Sequence, residues 1–209
     1  MASPNEPLIL PMSSCALVFG LDWFPLVGGR PDKAGLNLAR RHRSTHVVLP
    51  EGALGAVGLA SLRRQSPVSG SSLYSAAQNV AQLFPTGSVA IVLALQDSGY
   101  WLVAVHEGVV VARTDQIYRS REDADEVIDG LRLAYPQLQV LAHPQAGGLP
   151  TLATLEASSS SRSQLLPVKR WRSIMPWPVQ CFMLALVLVL LLPRAWQVYG
   201  GASANQAEP

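Results

Sequence analysis

Val89-Ala90-Ile91-Val92-Leu93-Ala94-Leu95, Asp97-Ser98-Gly99, Tyr100-Trp101-Leu102-Val103-Ala104-Val105, Glu107-Gly108 and Val109-Val110-Val111-Ala112 follow one another as three apolar runs separated by two turns. Runs of this length, rich in Val and bounded by Asp-Ser-Gly and Glu-Gly, read as three consecutive strands joined by hairpins. Downstream, Ser120 is placed to cap a helix with Asp123 at its third position, a variant of the capping box. Ala124, Val127, Ile128, Leu131 and Tyr135 share one face of that helix, Pro136 ends it, and 138–141 is a further strand. Strand, strand, strand, helix, strand is the order that begins one half of an actin-like or ribonuclease H-like fold, although many α/β domains share it.

Upstream, residues 15–20 form an apolar run of strand length, and Trp23 to Val27 continues it as a hairpin partner. Residues 33–42 have helical spacing. Residues 45–49 and 54–59 read as strands joined by Pro50-Glu51-Gly52, and Ser71-Ser72 offers an N-cap to a helix over 73–84 carrying Tyr74, Ala77, Ala81 and Phe84. The expected fold class is therefore α/β: a tail at 1–13, a mixed-sheet cytoplasmic domain over 14–145, and a linker over 146–172. The linker contains Ser158-Ser159-Ser160-Ser161, a composition expected of a flexible joint.

The C-terminal part predicts a membrane helix. From Ser173 to Pro193 there is no charged residue, and about 20 apolar residues span a bilayer core. Pro176 and Pro178 stand where a first helical turn tolerates proline, and Trp177, Trp196 and Tyr199 stand at the two expected interfaces. Lys169, Arg170 and Arg172 precede the run, whereas Arg194 alone of the basic residues follows it. The positive-inside rule then predicts a single-pass bacterial inner-membrane protein with helix 173–194, its N-terminal domain cytoplasmic and a short periplasmic tail at 195–209.

Composition narrows the function classes. With 49% hydrophobic and 14% charged residues, against about 25% charged in an average protein, the chain is not intrinsically disordered. A net charge of +2 excludes a nucleic-acid binder working by bulk charge, and two cysteines exclude a disulfide-rich scaffold.

Candidate chemistry is sparse. Gly28-Gly29-Arg30 lacks the phosphate-loop pattern, and Trp23-Phe24-Pro25 after Asp22 replaces the small residues a phosphate would need beside the backbone. His42 and His46 are four apart but straddle a helix end, so a helical metal pair is not expected. Ser69-Gly70-Ser71-Ser72 reads as a capping loop rather than a nucleophile elbow. No catalytic, cofactor-binding or metal-binding residue is expected, and no cofactor. Charge carries more information. Residues 30–64 hold Arg40, Arg41 and Arg43 in a basic segment; residues 115–129 hold Asp115, Glu122, Asp123, Asp125 and Glu126 in an acidic one. The bland reading is two solvated helix faces; the sharper one is a partner-docking surface formed by Arg40, Arg41, Arg43, Glu122, Asp123, Asp125 and Glu126.

Several segments resemble a known family: Gly20-Leu21-Asp22-Trp23-Phe24-Pro25-Leu26-Val27-Gly28-Gly29-Arg30, Ala39-Arg40-Arg41-His42-Arg43, Tyr74-Ser75-Ala76-Ala77-Gln78, Gly99-Tyr100-Trp101-Leu102-Val103-Ala104, Ala112-Arg113-Thr114-Asp115, and Arg170-Trp171-Arg172 with Pro176-Trp177-Pro178-Val179-Gln180. Together they resemble the pilin accessory protein family, the PilO-type inner-membrane proteins of type IVb pili and conjugative thin pili. The resemblance implies a non-enzymatic scaffold subunit of a type IV pilus or related secretion or conjugation machine. Its implied partners are a cytoplasmic motor ATPase, sibling inner-membrane platform proteins and further copies of itself. It also implies a degenerate actin-like domain, and departs from the family in the short stretch after the expected span. The alternative is a membrane-tethered nucleotide-binding enzyme of actin-like ancestry.

Overall fold

A computed structural model describes residues 7–28, 30–50, 54–62, 71–142 and 148–168, together with 181, 182 and 184–186. The chain divides into two compact units, Met1–Lys169 and Arg170–Pro209. The first unit is mixed α/β. Its strands are β1 (Leu8–Pro11), β2 (Ala16–Phe19), β3 (Asp22–Val27), β4 (His46–Val48), β5 (Leu54–Ala60), β6 (Leu73–Ser75), β7 (Ser88–Leu95), β8 (Gly99–His106), β9 (Val109–Val110), β10 (Gln116–Tyr118), β11 (Gln139–Leu141) and β12 (Leu166–Pro167). Its helices are α1 (Pro31–Arg41), α2 (Ala76–Leu83), α3 (Arg121–Ala134) and α4 (Leu152–Ala157).

The three runs at 89–112 form the expected hairpins. β7 and β8 pair antiparallel from Ser88↔His106 to Leu95↔Gly99, and β8 turns into β9 through Glu107 and Gly108, both at positive φ. Two successive positive-φ residues give a turn whose twist matches that of the flanking strands. The apolarity of these strands is continuous because both faces are covered. Val89, Ile91, Trp101, Val103 and Val105 enter the main core, while Ala90, Val92, Leu102 and Ala104 lie under Ala124 and Ile128 of α3. Successive side chains of a strand point to opposite faces, so one run feeds two cores. Each fully buried large side chain, such as Trp101, Phe19 or Ile91, contributes roughly 1.5–3 kcal/mol relative to exposure. α3 is capped as its sequence predicts, Ser120 Oγ accepting from the Asp123 N–H at 3.2 Å. It leads to β11, which returns parallel to β7.

Parallel and antiparallel pairs are both present, but the strands do not share a single sheet. The strands divide among three sheets, ordered β1-β2-β6, β10-β8-β7-β11 with β9 on β8, and β12-β4-β5-β3. The runs at 15–20 and 23–27 are not hairpin partners. β2 pairs with β1 and, in parallel, with β6, whereas β3 leaves for a different sheet and pairs with β5. The chain crosses between those sheets at Gly20, whose φ of +79° suits glycine. Apolar patterning marks strands but carries no information about which strands pair across long loops.

Other boundaries move for the same reason. Leu8–Pro11 lies inside the expected N-terminal tail but is a strand. The helix expected over 73–84 begins at Ala76: Leu73–Ser75 is taken by pairing with β2, and Ser75 rather than Ser71 or Ser72 supplies the cap, accepting from the Gln78 N–H. The expected linker is packed where it is described. Leu155 and Leu165 belong to the main core, β12 pairs with β4, and Ser160 donates to Gln82 Oε1 at 2.7 Å. A serine run is loose only where nothing meets its hydroxyls; here α2 and α4 do.

The expected fold class ended in a transmembrane helix, and that element is corrected too. Among the described residues no helix is long and apolar enough to cross a membrane. Of the expected span 173–194, the described residues 181, 182 and 184–186 are helical and exposed. Lys169, Arg170, Arg172, Trp177, Trp196 and Tyr199 lie outside the described residues. A hydropathy window measures how apolar a stretch is and does not itself supply one helix of that length. That finding overturns the expected placement in the bacterial inner membrane, single-pass with a cytoplasmic N-terminal domain.

Candidate functional site

The basic residues close α1. Arg40 and Arg41 occupy its last turn, His42 is the C-cap, and Arg43 sits at φ +57°. Ser44 N–H donates to Ala39 O and Arg43 N–H to Arg40 O, the pair of bonds that satisfies terminal carbonyls in a Schellman ending. Arg40, Arg41 and Arg43 are all exposed, and Arg40 Nη1 donates to Asn37 Oδ1 at 3.2 Å. α1 covers β3, β4 and β5. Its inner face, with Ala39 fully buried, packs on Val47, Val57 and Leu59.

The acidic residues open α3. Glu122, Asp123, Asp125 and Glu126 are exposed, and α3 packs on β8 and β10 of a different sheet. Asp125 is held by Arg121 Nε at 3.0 Å. Part of this segregation has a local cause: acids favour the positive N-terminal end of a helix and bases its negative C-terminal end. That accounts for Glu122, Asp123, Arg40 and Arg41, and leaves Glu126 and Arg43 without a helical reason.

Asp115 does not belong with the acidic face. Its side chain is buried and receives four N–H bonds, one backbone and one indole donor on each oxygen. Gly20 N–H lies 2.8 Å and Trp101 Nε1 2.7 Å from Oδ1; Leu21 N–H lies 3.0 Å and Trp23 Nε1 2.9 Å from Oδ2. Burial pushes the carboxyl up, and the four donors pull against it. Since every one of these partners donates, the ionised carboxylate is the form that satisfies them. Asp115 reaches this place from the turn between β9 and β10. That turn is fastened to β8 by Thr114, which accepts from Ala104 N–H at 3.0 Å and donates to Val111 O at 2.8 Å. The carboxylate thus ties the crossing between two sheets to the central hairpin of the third. Nothing in the local sequence announces a buried acid; the signal is the spatial meeting of two tryptophans and a glycine corner.

The remaining candidates stay apart. His42 meets the Phe24 ring at a tilt, centroids 4.7 Å apart, His46 shares a hydrogen bond with Thr45, and exposed His106 bonds Ser88 across the hairpin at 2.8 Å and meets the Tyr135 ring at a tilt. Burial lowers the pKa of His46. His143, Gly29, Ser69 and Gly70 lie outside the described residues. Among the described residues no group of three or more His, Cys, Asp or Glu could hold a metal. A cavity of about 360 Å³ lies between β5, α2 and β9, lined in part by Ala56, Gln78, Ala81, Gln82, Val109 and Val110. Its Gln82 is engaged by Ser160.

No protein-family model matches the chain, and no curated protein matches it. The likeness to the pilin accessory proteins therefore rests on short segments such as 20–30, 74–78 and 99–104 alone.

Proposed function

We propose that the chain is a non-enzymatic docking subunit of a type IV pilus or related secretion or conjugation machine, meeting a motor ATPase and sibling subunits through its charged helix ends. The observation that carries this reading is the separation of like charges onto two exposed helix ends over different sheets: Arg40, Arg41 and Arg43 on one, Glu122, Asp123, Asp125 and Glu126 on the other. Clustered exposed charge steers association and selects partners of opposite sign, and salt screens it over about 8 Å at physiological strength. The pilus context comes from the resemblance. Against the nucleotide-binding alternative stands the Gly20–Leu21 corner, whose two N–H groups, suited to an anion, are already bonded to Asp115.

The test uses the full chain and the motor ATPase encoded nearest to it. Changing Arg40, Arg41 and Arg43 together to Glu should weaken ATPase binding about tenfold or more, chiefly through the association rate, and remove its salt dependence. Unchanged affinity for the ATPase and for a second copy of the chain would return these arginines to the status of a solvated helix end.

A further inference from the structure

The corner around Asp115 has the construction of a receptor. Two backbone N–H groups on consecutive residues, Gly20 and Leu21, and two indole N–H groups, from Trp23 and Trp101, converge on two oxygen positions. Each oxygen position has one donor of each kind at 2.7–3.0 Å. The walls are apolar: Leu21, Trp23 and Trp101 are buried, and Phe19 meets the Trp101 ring edge-on at 4.9 Å. The donors are set by elements independent of the acid they bind. Gly20 and Leu21 are positioned by the crossing from β2 to β3, Trp23 by β3 and Trp101 by the β7–β8 hairpin.

We propose that this corner is a carboxylate-binding site whose ligand is supplied from within the chain, and that without the Asp115 side chain it takes a planar external monoanion of the formate or acetate class. The chemistry favours that class. Four donors divided evenly over two oxygens match a flat Y-shaped anion, and all four would be left unpaired in an empty site, which a buried group resists. A tetrahedral phosphate or sulfate would present oxygens for which no donor is placed. The proposal is independent of the docking reading, since none of the charged helix ends takes part.

The full-length Asp115→Ala protein tests it, because Ala retains the Cβ and formate replaces the missing carboxylate. Urea unfolding is followed by circular dichroism in sodium formate and in sodium chloride of equal ionic strength. A ligand that binds only the native state at ten times its Kd lowers the unfolding equilibrium constant about 11-fold. We expect a saturable formate dependence of that kind in Asp115→Ala, with shifts of the Trp23 and Trp101 indole N–H resonances, and neither effect in the wild type or in Asp115→Asn, where an amide fills the space. Asp115→Gly, with room for one more carbon, should respond to acetate. If Asp115→Ala does not fold in chloride, its refolding yield in formate becomes the readout. Absence of formate or acetate dependence in both truncated variants, or rescue by phosphate as strong as by formate, would overturn the proposal.

Discussion

The β7–β8 hairpin and the Asp115 corner are both buried and both hydrogen-bonded, yet they depend on the chain in opposite ways. The hairpin closes between neighbours in sequence, from Ser88 to His106, and its strands are recognisable from composition alone. The corner joins Asp115 to residues 92 to 95 positions earlier, and to Trp101 14 positions away. Local contacts close cheaply in conformational entropy; the corner needs donors from the crossing between two sheets and from the hairpin of the third to be brought together.

The largest expected effect separates the two regions. Asp115→Ala strands four buried donors, and at roughly 1–3 kcal/mol for each unsatisfied buried group, moderated by relaxation, a loss of about 3–5 kcal/mol is expected in urea unfolding. The paired amides of β7 and β8 should then lose less protection than Gly20 and Leu21 in native-state hydrogen exchange. Equal loss everywhere would mean that hairpin and corner are one cooperative unit.

A smaller effect belongs to the hairpin side. Ser120 caps α3, which covers the outer face of β7 and β8, so Ser120→Ala should cost about 1 kcal/mol by loss of the bond to Asp123 N–H. Ser120→Asp should restore it. A loss as large as that of Asp115→Ala would contradict the view that local contacts here are individually modest.

The smallest effect distinguishes sequence separation from burial. Glu156 accepts from the Ser14 N–H at 2.7 Å and the Ser14 hydroxyl at 2.8 Å, a contact 142 positions apart yet exposed. These bonds lower the Glu156 pKa below its ordinary value of 4.5. The unfolded chain then takes up a proton at higher pH than the folded one. The stabilisation is fully present above about pH 4.5 and is lost as pH falls through the folded pKa. Glu156→Gln should flatten that acid limb of the melting temperature and lower neutral-pH stability slightly, by less than Ser120→Ala, because the amide never carries the charge that these bonds favour. A neutral-pH loss comparable to Asp115→Ala would show that distance along the chain, not burial, sets the cost.

Much of the local structure was legible in the residues themselves. The runs at 89–112, the Ser120 cap, the apolar face of α3 and the helix expected over 33–42, which forms as Pro31–Arg41, all follow from short-range stereochemistry, in which a few neighbouring residues carry the whole signal. The exposed charges of α1 and α3 were legible too, because charged side chains on an amphipathic helix face water. Less was legible in the serines at 158–161, whose order comes from Asn79 and Gln82 on a distant helix. The apolar run at 173–193 showed its hydropathy but not a helix of spanning length among the described residues.

By itself, then, the sequence determined that the runs at 89–106 are strands and that α1 and α3 are helices, which of their faces are apolar and which helix charges stand outside, since each depends on residues a few positions apart. Only the tertiary structure decided that the strands divide among three sheets, that β2 and β3 part company at Gly20, and that Asp115 leaves the acidic series to become a buried ligand. The physical reason is that the fate of an isolated carboxylate depends on the donors that meet it. Here those donors come from Gly20, Leu21, Trp23 and Trp101, which no local pattern brings together.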